Sequence, residues 1–326
     1  MAERKSLIPW FQENYKDYIK NWIDKELEKA NVYLNGEIEH IKESDTSLVL
    51  RVPTNEDNYY FKAVGPGSKY EVSLSRLLHM ENPKKTVEVL GINETEGWQL
   101  MKELKGQTLR TLKDKKVWQK AISEYAEFQI SQIGNVEKFL QIGVPNRRIS
   151  ILKEEINQNI VQMCETGLSK EETKSVMALL PTLMDMCDEM ESIIPASIEH
   201  GDLHTNNIMV VENNVVFFDW GDASVSHPFF STRIFWNTLY DLISLESEWL
   251  EMVEEFRPYY LEPWTKIAPM KEIDRALRIS DELACVYRAL GWHLYITPYR
   301  EDKADSYNKP AQWLQVLLEH RALLGK

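Results

Sequence analysis

Cysteine is scarce: three residues, Cys164, Cys187 and Cys285, odd in number, far apart and without a CxxC pair. A disulfide framework and a thiolate metal site are excluded, and three reduced core side chains are expected. Positive charge is in deficit. Thirty-eight Lys and Arg face 51 Asp and Glu, the formal charge is −13, and no run of five basic residues occurs, which argues against binding along a nucleic-acid backbone. No apolar run approaches the roughly 20 residues of a membrane span. The opening MAERKSLIPWFQENYKDYIK has no apolar signal-peptide core, so a soluble cytoplasmic protein is expected, with neither nucleic acid nor membrane as partner. Glycine and proline stand at 13 each, too few for a low-complexity chain, and no internal repeat is visible.

What the chain does have is length and aromatic mass: 326 residues, 43% hydrophobic, with 10 Trp, 14 Tyr and 10 Phe to bury. Trp10, Phe11, Tyr15, Tyr18, Ile19, Trp22, Ile23 and Leu27 recur at steps of three and four, which predicts a leading amphipathic helix over 7–30 that packs on its own domain. GEIEHIK, SLVLRVPT and NYYFKAV then alternate as strands between polar turns. YEVSLSRLLHM returns to helical spacing, and TVEVLGI and EGWQLMKEL add two more strands. After Gly106 the texture is helical, interrupted by one hairpin, NIMVV-ENN-VVFFD. The expected architecture is α+β in two lobes: residues 1–104 with a five-stranded antiparallel sheet and one helix, and 105–326 mainly helical, with a cleft between them.

The informative stretch is EHGDLHTNNIMVVENNVVFFDWGDA, residues 199–223. A loop carrying Asp202 runs into Asn207, and the hairpin brings Asp219, at the end of its second strand, back beside the loop. An Asn amide oxygen and a carboxylate suit Mg²⁺, which takes a few protein oxygens and completes its shell with water and phosphate. Asp202 remains free to accept a proton from a hydroxyl or to hold that hydroxyl in line with phosphorus. Such a set suffices for phosphoryl transfer, which is mostly positioning and charge neutralisation. His200, Asp202 and His204 as zinc ligands are the competing reading, but they leave Asn207 and the hairpin without a purpose.

HGDLHTNN followed by DWG resembles the catalytic and metal-binding motifs of the aminoglycoside phosphotransferase-like family, small-molecule kinases with a protein-kinase-like fold. The resemblance covers roughly residues 36–235. It implies Asp202 as catalytic base and Asn207 and Asp219 as metal ligands. It further implies Lys62 on the third strand as the lysine that contacts the nucleotide phosphates, with Glu71 as its partner. Backbone groups near Glu103 and Leu104 would bind the base, and Met101 would line its pocket. The implied activity is transfer of the γ-phosphate of ATP or GTP, with Mg²⁺, to a hydroxyl of a small molecule: an antibiotic such as an aminoglycoside, or a metabolite such as an amino alcohol, a sugar or homoserine. A catalytically silent nucleotide-binding scaffold is the alternative.

Four features depart from the family pattern or stand outside it. KESDTS between the first two strands has no glycine, so Ser44, Thr46 and Ser47 are either phosphate donors or an ordinary turn. The family's Gly-Asp-Pro-x-x-Asp reads SHPFFS, with His227 and Ser231 at the two Asp places, which removes the carboxylate that usually supports the catalytic loop. Glu246, Glu248, Trp249 and Trp292 would suit a cationic acceptor, or form a solvated face and a core stripe. Asp222 either assists at the site or caps the next segment.

Overall fold

Tyr15, Ile19, Ile23 and Leu27 fall four residues apart and form the buried stripe of α1 (Tyr15–Lys29). The computed structural model describes residues 8–11 and 15–326. Pro9–Phe11 is a separate 3₁₀ turn, so the helix expected over 7–30 is shorter than its periodicity suggested; residues 7 and 12–14 of that range lie outside the described residues. The stripe covers the chain's own sheet. Trp22 meets Phe61 and Trp98 edge-on at 5.8 and 5.6 Å, and the Trp98 indole N–H donates to Tyr15 Oη at 2.6 Å.

That sheet is built from β1 (Glu39–Glu43), β2 (Ser47–Pro53) and β3 (Asn58–Val64), then, after α2 (Tyr70–Glu81), β4 (Val89–Asn93) and β5 (Trp98–Lys102). Its order is β1-β2-β3-β5-β4, antiparallel throughout. Along β3 the side chains alternate: Tyr59, Phe61 and Ala63 join the core with α1, while Tyr60 and Lys62 take the other face, opposite Met101 and Gln99 of β5. The aromatic pattern thereby fixes the face on which Lys62 emerges.

The second lobe continues through β6 (Gln107–Thr108), α3 (Lys115–Gln132), α4 (Val136–Gln141), α5 (Ile149–Glu165), α6 (Lys170–Glu191), β7 (Ser197–Glu199), β8 (Ile208–Val211), β9 (Asn214–Phe217), β10 (Ser224–Ser226), α7 (Thr232–Thr238), α8 (Trp249–Leu261), α9 (Met270–Leu290), α10 (Ala304–Tyr307) and α11 (Lys309–Leu323). The expected hairpin is β8–β9, but it has company. β6 extends it to three strands, and β7 pairs with β10, matching Glu199 to Ser224. Strands of two or three residues are too short to show a period in sequence. One core gathers α3, α8 and the hairpin; a second joins α5, α6, α9 and α11 and holds the three cysteines, all free and buried. Among the described residues no helix is long and apolar enough to cross a membrane.

Candidate active site

The loop after β7 begins with a tight approach. Gly201 has φ +78° and lies so close to Asp222 that an added Cβ would sit 2.0 Å from its carbonyl oxygen, so only glycine fits. His200 is engaged at both ring nitrogens: Nε2 reaches Phe218 O at 3.0 Å, and Nδ1 accepts the Asp202 N–H at 3.4 Å. Burial pushes this imidazole down to about 4, which keeps it neutral. It is a hydrogen-bonding spacer, and with both nitrogens spent the zinc reading fails. Among the described residues no cluster of three or more His, Cys, Asp or Glu could hold a metal.

Burial works to raise the Asp202 carboxyl, but the hydrogen bond from His204 (Nε2 to Oδ2, 3.3 Å) and the charge of Arg288 outweigh it and hold it below the usual range. Asn207 Nδ2 donates to the Asp202 carbonyl at 3.0 Å, its own carbonyl accepts the Phe218 N–H at 3.2 Å, and its Oδ1 takes part in no hydrogen bond with the described residues. Asn207 thus ties the loop to the returning hairpin. Asp219 lies two residues beyond the end of β9 instead of ending it, in the left-handed region at φ +66°. This uncommon backbone turns its carboxylate to Lys62.

Lys62 is held between two carboxylates. Its Nζ donates to Glu71 Oε1 and to Asp219 Oδ1, both at 2.6 Å, and Gln99 Nε2 adds a bond to Glu71 Oε1 at 3.1 Å. Burial works to lower the pKa of the amine; the paired carboxylates more than reverse it and hold it above its ordinary value. The Lys62 charge holds Asp219 below its ordinary range, while burial pushes Glu71 up against the same charge. The short Lys62-to-Glu71 separation is spanned by a 3₁₀ turn, Pro66–Ser68, that leads from β3 into α2, and Glu71 stands in the first turn of that helix.

Two cavities meet at this lysine. One, of about 310 Å³, is lined by Val49, Tyr60, Met101, Leu104, Met209 and Phe218, a flat apolar slot beside Glu103. The Glu103 N–H is spent on Asn58 O at 3.0 Å, whereas the Leu104 N–H has no partner among the described hydrogen bonds. The other cavity, of about 240 Å³, contains Asp202, Asp219, Asp222, Arg288, Trp292 and Arg300. Burial raises Asp222 to about 6 despite Arg288 at 3.7 Å, and it faces this cavity instead of capping a helix. Ser44 and Thr46 bond to each other at 3.1 Å; Thr46 and Ser47 line the second cavity and Ser47 the first as well, while Asp45 lines the second, where it pairs with Arg300 at 2.8 Å.

Of the distal candidates Trp292 alone reaches the cleft. Trp249 is buried, its N–H on Trp236 O at 2.8 Å, and Glu248 accepts the backbone N–H groups of Ser244 and Leu245. Sequence reasoning missed Arg288 and Arg300, which come to the site from a remote helix and a following turn with no local pattern to mark them. Ser231 does support the loop after all, accepting the His200 N–H at 3.1 Å.

With this geometry in hand, comparison with known proteins is informative. The sequence description of the phosphotransferase enzyme family matches residues 41–256. No curated protein matches the chain. Among solved structures it is similar to the GDP complex of aminoglycoside 2'-phosphotransferase-IIIa, at 15% identity, TM-score 0.62, covering 95% of this chain and 99% of that one. It is also similar to choline kinase from Streptococcus pneumoniae, at 15% identity, TM-score 0.60, covering 93% and 99%. Ethanolamine kinase of Plasmodium vivax follows at 18% identity, TM-score 0.54, covering 86% and 81%. At these identities the likeness establishes the two-lobed, kinase-like α+β fold.

Proposed function

The chain belongs to the phosphotransferase enzyme family, and on that premise we propose that it moves the γ-phosphate of ATP to a hydroxyl of a small molecule. The observation that carries this reading is the Glu71–Lys62–Asp219 chain of 2.6 Å contacts, opening on the cavity that also holds Asp202. Residues 1–104 supply most of the nucleotide side, and 105–326 the catalytic loop, the metal ligands and one wall of the base slot. The base lies in the slot between Val49, Met101 and Met209, with the Leu104 N–H as its donor.

Lys62, kept protonated by its two carboxylates, binds phosphate oxygens as a fixed charge. Asp202, kept ionised by His204 and Arg288, accepts the hydrogen of the acceptor hydroxyl and orients its oxygen; as the phosphoryl group leaves the diphosphate, that proton passes to Asp202. The donor set fits magnesium, since Asn207 Oδ1 and the second oxygen of Asp219 are hard ligands that make no other hydrogen bond among the described residues. Bound there, the ion would neutralise charge on the phosphate oxygens.

Similar folds are named for aminoglycosides, macrolides, choline and ethanolamine, which supports an antibiotic or an amino alcohol as the first acceptors to test, with sugars and homoserine beside them. The GDP in one of those structures makes GTP a donor to test beside ATP. Acceptor-dependent release of nucleoside diphosphate, screened over hydroxyl compounds with each nucleotide, tests the reading. Turnover with one acceptor supports it. Nucleotide binding without turnover on any acceptor would make the chain a silent scaffold.

A further inference from the structure

Glu199 closes β7 one residue before the catalytic loop and is almost wholly buried, at 1% exposure. A carboxylate in such a place is costly unless donors surround it. Here they do. Oε1 accepts the Gly201 N–H at 2.9 Å and the Ser231 hydroxyl at 2.9 Å, and Oε2 accepts the Tyr287 hydroxyl at 3.1 Å. The Ser231 oxygen accepts in turn from the His200 N–H at 3.1 Å and lies 2.8 Å from Tyr125 Oη. Two successive loop amides, 200 and 201, therefore end on Glu199, one directly and one through Ser231. On the other side of the same glycine, the Gly201 carbonyl accepts from the Arg288 guanidinium, and the residue packs against the Asp222 backbone. Gly201, the residue that leads into Asp202, is gripped at its N–H by β7 and at its carbonyl by α9.

Resting on the phosphotransferase reading above, we propose that Glu199 is the positioning residue for Asp202, supplying from β7 the carboxylate that Ser231 does not carry, and that Tyr287 ties this grip to the helix lining the acceptor cavity. Glu199 touches neither nucleotide nor acceptor; it acts through Gly201. A hydrocarbon at 199 would leave the Gly201 N–H without its acceptor and reduce the Tyr287 hydroxyl to its bond with Ser224, and a glutamine would turn an amide N–H₂ toward one of these donors.

The test is a relocation. Glu199→Gln should lower kcat on the order of 10- to 100-fold, the range known for outer-shell partners that orient metal ligands, while the nucleotide KM stays unchanged. Adding Ser231→Asp in the same chain returns a carboxylate to the loop amides and should recover most of that loss. Tyr287→Phe, a milder change, should move kcat in the same direction by less. Hydrogen exchange on the full-length protein reads the grip without turnover: Glu199→Gln should speed exchange at Gly201 and leave β2 and β3 as they were. A wild-type protein with no acceptor turnover sinks the kinase reading alone, and exchange at Gly201 still decides the role of Glu199. Wild-type kcat in Glu199→Gln, or unaltered exchange at Gly201, would overturn the proposal. So would a kcat loss that Ser231→Asp leaves unrescued and that an equal fall in Tm accounts for.

Discussion

Asp202 and Gly201 are neighbours with opposite tolerances. Asp202→Ala removes the acceptor for the substrate hydrogen but nothing that Lys62 or the base slot contributes. It should lower kcat on the order of 10² to 10⁴ and spare nucleotide affinity, as titration of nucleotide binding beside initial rates would reveal; a parallel loss of affinity contradicts the role. Gly201→Ala is a different kind of damage. A methyl group at φ +78°, 2.0 Å from Asp222 O, cannot be accommodated by a side-chain swing, because the obstacle is backbone. The variant should lose both turnover and stability, the latter by about 1–3 kcal/mol in denaturant titration. At this scale the sequence was readable where chemistry is local: Asp202, Asn207 and Asp219 sit in one stretch of 18 residues with recognisable spacing. Glu199 was not, because its meaning depends on Ser231 and Tyr287, 32 and 88 residues away. The missing carboxylate at 231 looked like a loss, when the geometry makes it a displacement.

Elements were legible in proportion to their length and period. The five strands of the first lobe fell where alternation put them, and α2, α3, α5 and α6 where steps of three and four did. The β7–β10 pair escaped notice, being three residues on each side with polar Ser and Glu among them. So did the π-helical turn Gly291–Ile296, whose extra residue per turn carries Trp292 and Tyr295 to the cleft wall. The ends of elements carry their own energies. α6 starts with a capping box, Ser169 Oγ accepting the Glu172 N–H at 3.2 Å while the Glu172 carboxylate accepts the Ser169 N–H at 2.7 Å. Ser169→Ala should cost about 1 kcal/mol, visible as a lower urea midpoint at constant slope, with no effect on turnover since α6 lies outside both cavities.

For the molecule as a whole, acid is the revealing perturbant. Burial pushes His227 down to about 3 and His200 to about 4, so in the folded chain both remain neutral where the unfolded chain, near 6.5, takes up protons. Their contribution to stability is complete above pH 6.5 and is lost as the pH falls toward those depressed values. At pH 5 each has lost about 2 kcal/mol. Asp222, raised to about 6, works in the opposite sense by binding a proton more readily when folded. The net expectation is a Tm that falls between pH 7 and pH 5, with a shallower fall in His227→Asn, whose amide oxygen can still accept the Phe229 N–H. An identical slope in the two proteins would contradict the assignment.

The Asp45–Arg300 pair has a topological consequence. The polypeptide crosses between the lobes near residue 104, and this ion pair, with Tyr299 pressed against Gly67, joins them again beside the Lys62–Asp219 pair. The second cavity is therefore bridged by two ion pairs, Lys62–Asp219 and Asp45–Arg300, whose four residues all line it. On the proposed phosphotransferase reading, an acceptor reaches Asp202 between these two bridges, so its girth counts there before its polar groups do.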